Sequence, residues 1–177
     1  MNRNERRRRT REALLEAAAL EFESYGYAET TLQHVADRLG LSRGTVLFHF
    51  QSKDALRCSL IDWADTAIAQ ALKSYGDEEQ FESTLLSVST LCVRDPRVRS
   101  GLLLREELER AGTIAPPGWR IQLSSLMSEH LMSQNLTSSE PIHQETMTLM
   151  FLSIINSRRW HDEKQTRIAV KFFTRLS

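Results

Sequence analysis

The stretch Thr30-Thr31-Leu32-Gln33-His34-Val35-Ala36-Asp37-Arg38-Leu39-Gly40-Leu41-Ser42-Arg43-Gly44-Thr45-Val46-Leu47-Phe48-His49-Phe50 decides the fold. Its first half predicts a short helix with Leu32, Val35, Ala36 and Leu39 turned inward. Thr30-Thr31-Leu32-Gln33 fits a capping box, in which a threonine oxygen accepts an orphan N–H and the glutamine reaches back. Gly40 stops the helix, Leu41 bridges the turn, and Ser42 caps a third short helix from Arg43 to about His49. Two short helices around a glycine turn form a helix-turn-helix. The second is thin enough to enter a DNA major groove about 12 Å wide, and the first holds it from behind through apolar contacts.

Upstream, Leu14, Leu15, Ala18, Ala19, Phe22 and Tyr25 recur at three- and four-residue spacing, which predicts a helix over about Glu5–Ser24, with Gly26 past its end. Downstream, Ser52 caps a fourth helix from Lys53 to about Ser74, and residues 74–79 form a joint. Further amphipathic helices are predicted over about 79–93, 96–111, 117–134, 139–158 and 161–176. Asp95-Pro96 marks one start, a capping side chain followed by proline at the first helical position. The chain is therefore expected to be all-α. Residues 1–54 are expected to form a three-helix helix-turn-helix domain, and residues 55–177 a second, helical domain.

With 177 residues, 41% hydrophobic and 26% charged, the chain is neither disordered nor fibrous. Its formal charge is zero, which excludes a generally basic nucleic-acid coat but not a local contact surface. Six arginines (Arg3, Arg6, Arg7, Arg8, Arg9 and Arg11) and one glutamate give residues 1–11 a net +5, so the other 166 sum to −5. The longest stretch without a formal charge, Thr146–Ser157, has 12 residues, short of the about 20 a membrane span needs. No apolar run follows the arginine cluster, so no signal peptide is expected. Cys58 and Cys92 make no disulfide framework, which points to the cytoplasm. His34, His49, His130, His143 and His161 lack ligand spacing, so no metal site or other cofactor is expected. No nucleophile–base pair or phosphate-cradling loop argues for an enzyme.

Base edges are reached from the N-terminal end of such a second helix. Arg43 can bond guanine twice, Thr45 offers a hydroxyl or a methyl, and Gly44 lets the backbone approach closely. Lys53, beside Ser52 at a helix N-terminus, is placed for a phosphate. Arg9 and its neighbours in the arm are expected to meet phosphates or a minor groove; the alternative is a solvated tail. Thr31, Gln33 and His34 stand where the supporting helix nears DNA. Phe48 ends the recognition stretch but, with Phe50, reads first as core. His49 reads as a structural or phosphate-contacting group. The expected DNA-contacting set is Arg9, Thr31, Gln33, Ser42, Arg43, Gly44, Thr45, Leu47, Phe48, His49 and Lys53, against a double-stranded operator.

Leu14-Leu15-Glu16-Ala17-Ala18, Phe22 with Gly26, Thr30-Thr31, Val35-Ala36, Leu39-Gly40-Leu41-Ser42-Arg43-Gly44, Phe48-His49-Phe50 and Ser52-Lys53-Asp54-Ala55-Leu56 stand in one register. Residues 10–56 thereby resemble the DNA-binding domain of the tetracycline-repressor (TetR) family. The resemblance implies a homodimeric, ligand-responsive repressor of a palindromic operator, with a linking fourth helix and an all-helical body. One departure is Leu47, where the family usually has a phosphate-touching tyrosine; leucine is suited instead to a thymine methyl.

In the body, Arg94-Asp95-Pro96, Val98-Arg99, Gly101, Leu103, Pro116-Pro117 and Trp119 look like the γ-butyrolactone receptor branch of that family. This implies that Trp119 closes a pocket for a small apolar effector of γ-butyrolactone, butenolide or furan type. Leu85, Leu86, Val88, Leu103, Leu123 and Met127 are the expected walls. The alternative is a regulator of efflux or metabolism with an unrelated ligand or none. Residues 147–155 are apolar on nearly every side, so a helix there must bury more than one face. By resemblance, Met147, Met150, Phe151, Ile154, Ile155 and Phe172 form a homodimer interface.

Overall fold

The computed structural model describes residues 2–73 and 81–133, with Lys164, Arg167, Ile168 and Val170 near the C-terminus. The described residues form seven helices and no strand: α1 (Arg3–Glu29), α2 (Leu32–Arg38), α3 (Arg43–His49), α4 (Lys53–Lys73), α5 (Phe81–Arg94), α6 (Pro96–Arg110) and α7 (Gly118–Ser133). The helices expected over 139–158 and 161–176, and all six dimer-interface candidates, lie outside the described residues.

The arginine arm is helical. Asn2 caps α1, its side chain accepting from the Asn4 amide, and the helix runs from Arg3. Regular helix geometry breaks at Gly26, whose φ of 80° lies in the region glycine favours. The next turn is held by Thr30, which is fully buried. Its Oγ1 donates to the carbonyls of Gly26 (2.8 Å) and Glu21 (3.1 Å).

Thr31 then caps α2. Its Oγ1 accepts from the His34 amide at 3.2 Å, and His34 Nδ1 accepts from the Thr31 amide at 3.4 Å. The capping box is real, but His34 closes it rather than Gln33. Gln33 stands one position too early and donates to Asp37 at 2.6 Å. Leu39, expected to face inward, is 37% exposed; it sits past the last helical turn, with a backbone that has left helix geometry. Gly40 carries the reversal with a φ of 64°, and Ser42 caps α3 by accepting from the Thr45 amide at 3.2 Å.

Two cores share α4. The first joins Leu14, Leu15, Ala18 and Phe22 of α1 to Val35, Ala36, Val46 and Phe50, and to Leu56, Leu60 and Ile61 of α4. Leu104 of α6 completes it. The second joins Ala64, Ile68 and Leu72 of α4 to Phe81, Leu85, Val88 and Cys92 of α5, with Val98, Leu102, Trp119, Leu123, Met127 and Val170. Each fully buried leucine or phenylalanine contributes about 1.5–3 kcal/mol. Trp63 packs against both cores, so α4 is a shared wall.

Helix α6 is strapped to the first three-helix unit. Arg99 makes a two-point ion pair with Glu23 of α1, at 2.8 and 3.0 Å, and donates to the carbonyls of Cys92 and Val93 at the end of α5. At Gly101 a Cβ would stand 2.3 Å from the Leu60 carbonyl oxygen, so only glycine lets α6 lie this close on α4. Asp95 caps α6 as expected, accepting from the Arg97 amide at 2.9 Å, and receives the Trp63 indole N–H at 3.0 Å.

Candidate nucleic-acid interface

The surface of α3 follows from its helical wheel. Successive residues are about 100° apart, and Val46 is fully buried. Gly44 and Phe48 fall on the opposite side, Leu47 lies about 100° round, and Arg43 stands at the first turn about 60° from Val46; all four are exposed. Thr45 and His49 flank the stripe, half-buried. The stripe combines one guanidinium, one bare stretch of backbone and two apolar side chains. A Cβ on Gly44 would meet only Ser42 Oγ, at 3.7 Å. Nothing inside the chain demands glycine there, so the space it leaves faces outward. Ser42 Oγ and Thr45 Oγ1 share a hydrogen bond at 3.0 Å, which orients the Thr45 side chain.

Phe48 corrects the expectation of a core residue: it is 67% exposed, while Phe50 is buried. The reason is angular. Position 48 lies about 200° from the inward Val46, and Phe50 has left the helix and turns back beneath it. Leu47 is 40% exposed.

The arm lies alongside. The Arg7 guanidinium stands over the Phe48 ring at 5.3 Å, and that of Arg11 over the Phe50 ring at 4.5 Å. Burial, then the nearby charges of Arg7 and Arg11, push the His49 imidazole below its ordinary value. Arg9 pairs with Glu5 at 2.7 Å and Arg8 with Glu12 at 3.0 Å, both on open surface. Such pairs contribute about 0.3–0.5 kcal/mol, weak enough to be exchanged for a phosphate. A helix about 10 Å across does not enter a minor groove about 6 Å wide, so the helical arm is suited to phosphates and not to base edges there.

Three of the residues expected to contact DNA also make contacts inside the chain. Lys53 Nζ donates to the carbonyls of Tyr27 (2.8 Å), Ala28 (3.0 Å) and Thr30 (3.0 Å) and sits 4.5 Å from the Tyr27 ring centre. An ammonium has three protons, and all three are used to tie the end of α1 to the start of α4. Thr31 Oγ1 accepts from the His34 amide in the α2 cap, which leaves its proton to donate, and Gln33 Nε2 donates to Asp37, which leaves its side-chain oxygen to accept.

In the body, Trp119 is 5% exposed and belongs to one packed cluster with Leu85, Val88, Leu123 and Met127. Its indole N–H donates to Asp65 of α4 at 2.8 Å, and Arg105 pairs with the same carboxylate. The expected walls are thus brought together, as a core around the tryptophan. Leu103 is half-buried and outside that cluster. Leu86 packs against the cluster and borders a cavity of about 650 Å³ with Ser87, Thr90, Leu91, Arg94 and Arg167.

Residues 14–58, which span α1 to the first turns of α4, match the family of bacterial regulatory proteins, tetR family. The reader is a tetR-family DNA-binding domain. The chain is 38% identical over 48 residues to a probable acrEF/envCD operon repressor of Escherichia coli K12; the match covers 27% of this chain and 22% of that protein, so the chain spans about a fifth of that relative's length. Among solved structures it resembles CprB, a TetR family protein from Streptomyces coelicolor A3(2), at 22% identity and a TM-score of 0.71, over 93% of this chain and 86% of that one. It also resembles a γ-butyrolactone receptor described as ArpA-like, at 20% identity and a TM-score of 0.65, over 97% and 100%. At that identity the likeness shows a shared fold.

In this tetR-family domain two features escape a reading of capping signals alone. Phe48 was legible in principle, because the wheel angle from Val46 already turns it outward. The engagement of Lys53 was not, since its three acceptors lie 23 to 26 residues away.

Proposed function

We propose that the chain is a homodimeric transcriptional repressor that reads a palindromic operator through two copies of α3 and leaves it when a small molecule binds. The observation that carries the reading is the exposed stripe Arg43, Gly44, Leu47 and Phe48 with the helical arginine arm beside it. The two readers would sit about one helical turn of DNA, roughly 34 Å, or a multiple of it apart. The interface would come from the apolar residues 147–155 and Phe172. The expected split at residues 54 and 55 makes α4 the link, because its first half packs in one core and its second half in the other. An effector that prefers a dimer with wrongly spaced readers draws the population off the DNA. No helix among the described residues is long and apolar enough to cross a membrane.

For the effector we favour a small apolar signalling molecule of γ-butyrolactone, butenolide or furan type. The body stretch from Arg94 to Trp119 and the likeness in fold to a γ-butyrolactone receptor support it. A second reading, a regulator with an unrelated ligand or none, is favoured by the packing around Trp119. Titration of the full chain against duplexes selected from a random pool tests the first part. Arg43→Ala should weaken binding at least tenfold and Arg110→Ala, on the exposed face of α6, should leave it unchanged; equal effects would remove α3 as the reader. Release of the bound duplex by a panel of lactones, butenolides and furan acids tests the second. Trp119→Ala should lose release and keep binding.

A further inference from the structure

The exposed ring of Phe48 has no role inside the fold. Val46 and Phe50 already close the first core from this side. The ring is nevertheless held in place: the Arg7 guanidinium covers one face at 5.3 Å, and the His49 ring meets it edge-on at 5.2 Å and 89°. An aromatic ring fixed from behind and open in front, next to an exposed leucine on a helix suited to a major groove, needs an apolar counterpart in that groove. Duplex DNA offers one there. Base faces are stacked and closed, base edges are polar, and the C5-methyl of thymine is the apolar group displayed in the major groove.

We propose that Phe48 is a specificity-determining residue that reads a thymine methyl in each operator half-site, and that Arg7 is the positioning residue that holds its ring in the reading orientation. The proposal rests on the DNA-binding reading above and adds the base class that this surface selects. It divides the stripe chemically. Arg43 takes a guanine edge at the N-terminal end of α3, and Leu47 and Phe48 take methyl groups toward its C-terminal end. It also gives the arm a second task beyond charge, because Arg7 reaches the reading helix through its guanidinium plane.

The test begins with duplexes recovered by the full chain from a random pool. These are resynthesised with deoxyuridine for thymidine at one position at a time, which removes the methyl and keeps the base pair. The loss of one methyl contact should weaken binding about fourfold, and about fifteenfold when both half-sites are changed. Phe48→Ala should weaken binding to the thymidine duplex by a similar factor and abolish the thymidine-to-deoxyuridine ratio at one position per half-site. Phe48→Leu should retain part of the ratio. Arg7→Ala should shrink the ratio at that same position, whereas Arg6→Ala should weaken all duplexes alike and leave the ratio unchanged. Phe48 is exposed, so its variants are expected to fold, with thermal unfolding as the control. If binding ignores the methyl at every position, or Phe48→Ala keeps the full ratio, the proposal is overturned while the DNA-binding reading stands. If Arg7→Ala leaves the ratio intact, the positioning role is overturned. Failure to recover any duplex would overturn the DNA-binding reading and this proposal with it.

Discussion

Thr30 and Thr31 are neighbours of the same type with opposite tasks. Thr30 donates its hydroxyl back to carbonyls at the end of α1, and Thr31 accepts an amide at the start of α2. A one-residue difference in register separates them, and the same register decides that His34, not Gln33, closes the box. Lys53 shows the limit of local reasoning. Its ammonium holds three carbonyls of the α1–α2 turn, so Lys53→Met, which keeps the stem and removes the donors, should cost about 1.5–3 kcal/mol of stability. Denaturant unfolding checks this. A variant of full stability whose DNA binding loses salt dependence would instead make Lys53 a phosphate contact. Gly44 behaves in the opposite way. A methyl there meets nothing closer than 3.7 Å, so Gly44→Ala should keep the fold or gain up to about 1 kcal/mol from the stiffer backbone. Operator affinity should nonetheless fall at least tenfold, because the methyl stands between α3 and the DNA. Thermal unfolding and a binding titration on one preparation separate the two effects; undiminished affinity would mean that the helix does not approach closely at this point.

At the scale of elements, α4 and α6 are the pair on which both cores depend. Gly101 sets their spacing. Gly101→Ala places a Cβ 2.3 Å from the Leu60 carbonyl oxygen and 2.7 Å from the Ala64 Cβ, and backbone does not yield as a side-chain tip does. The helices must part, at a cost of about 1–3 kcal/mol, which in a chain of this size lowers the melting temperature by about 2–4 °C per kcal/mol. A calorimetric scan reads it; an unchanged melting temperature would mean that the helices are not in close contact. The sequence makes one side of this packing visible and hides the other. Ser42, Gly40 and Asp95-Pro96 announce the ends of their helices because capping is chemistry within four residues. The reach of Arg99 to Glu23 spans 76 positions, and that of Trp119 to Asp65 spans 54; no local pattern encodes either. Trp119 was therefore legible as an important aromatic, while its burial in a packed cluster depended on helices brought together by tertiary contacts. Phe48 is intermediate, since its outward angle is local but the arginine braced against it comes from another helix.

Over the whole molecule, the neutral total conceals where charge is concentrated. Residues 1–11 carry +5, and residues 12–58 hold four basic and seven acidic side chains, a net −3. Much of the acid that balances the arm therefore lies in the reader itself and not only in the body. Glu12 pairs with Arg8, and Glu21 with Arg38 at 2.7 Å. A reader of this kind draws its long-range attraction for DNA from the helical arm and little from the rest of its surface. The salt dependence of binding should consequently follow the arm. The logarithm of affinity falls with the logarithm of salt by about 0.9 for each phosphate neutralised. In a homodimer, Arg3→Gln with Arg6→Gln removes four charges and should flatten the slope by up to about 3.6. The base preferences set by α3 should persist, since phosphate contacts position and base contacts specify. Titrations between about 50 and 200 mM salt, against one selected duplex and one scrambled duplex, measure both quantities together. A slope that does not change would mean that the arm stands clear of the backbone. An altered base preference would mean that these arginines reach base edges, which the helical form of the arm argues against.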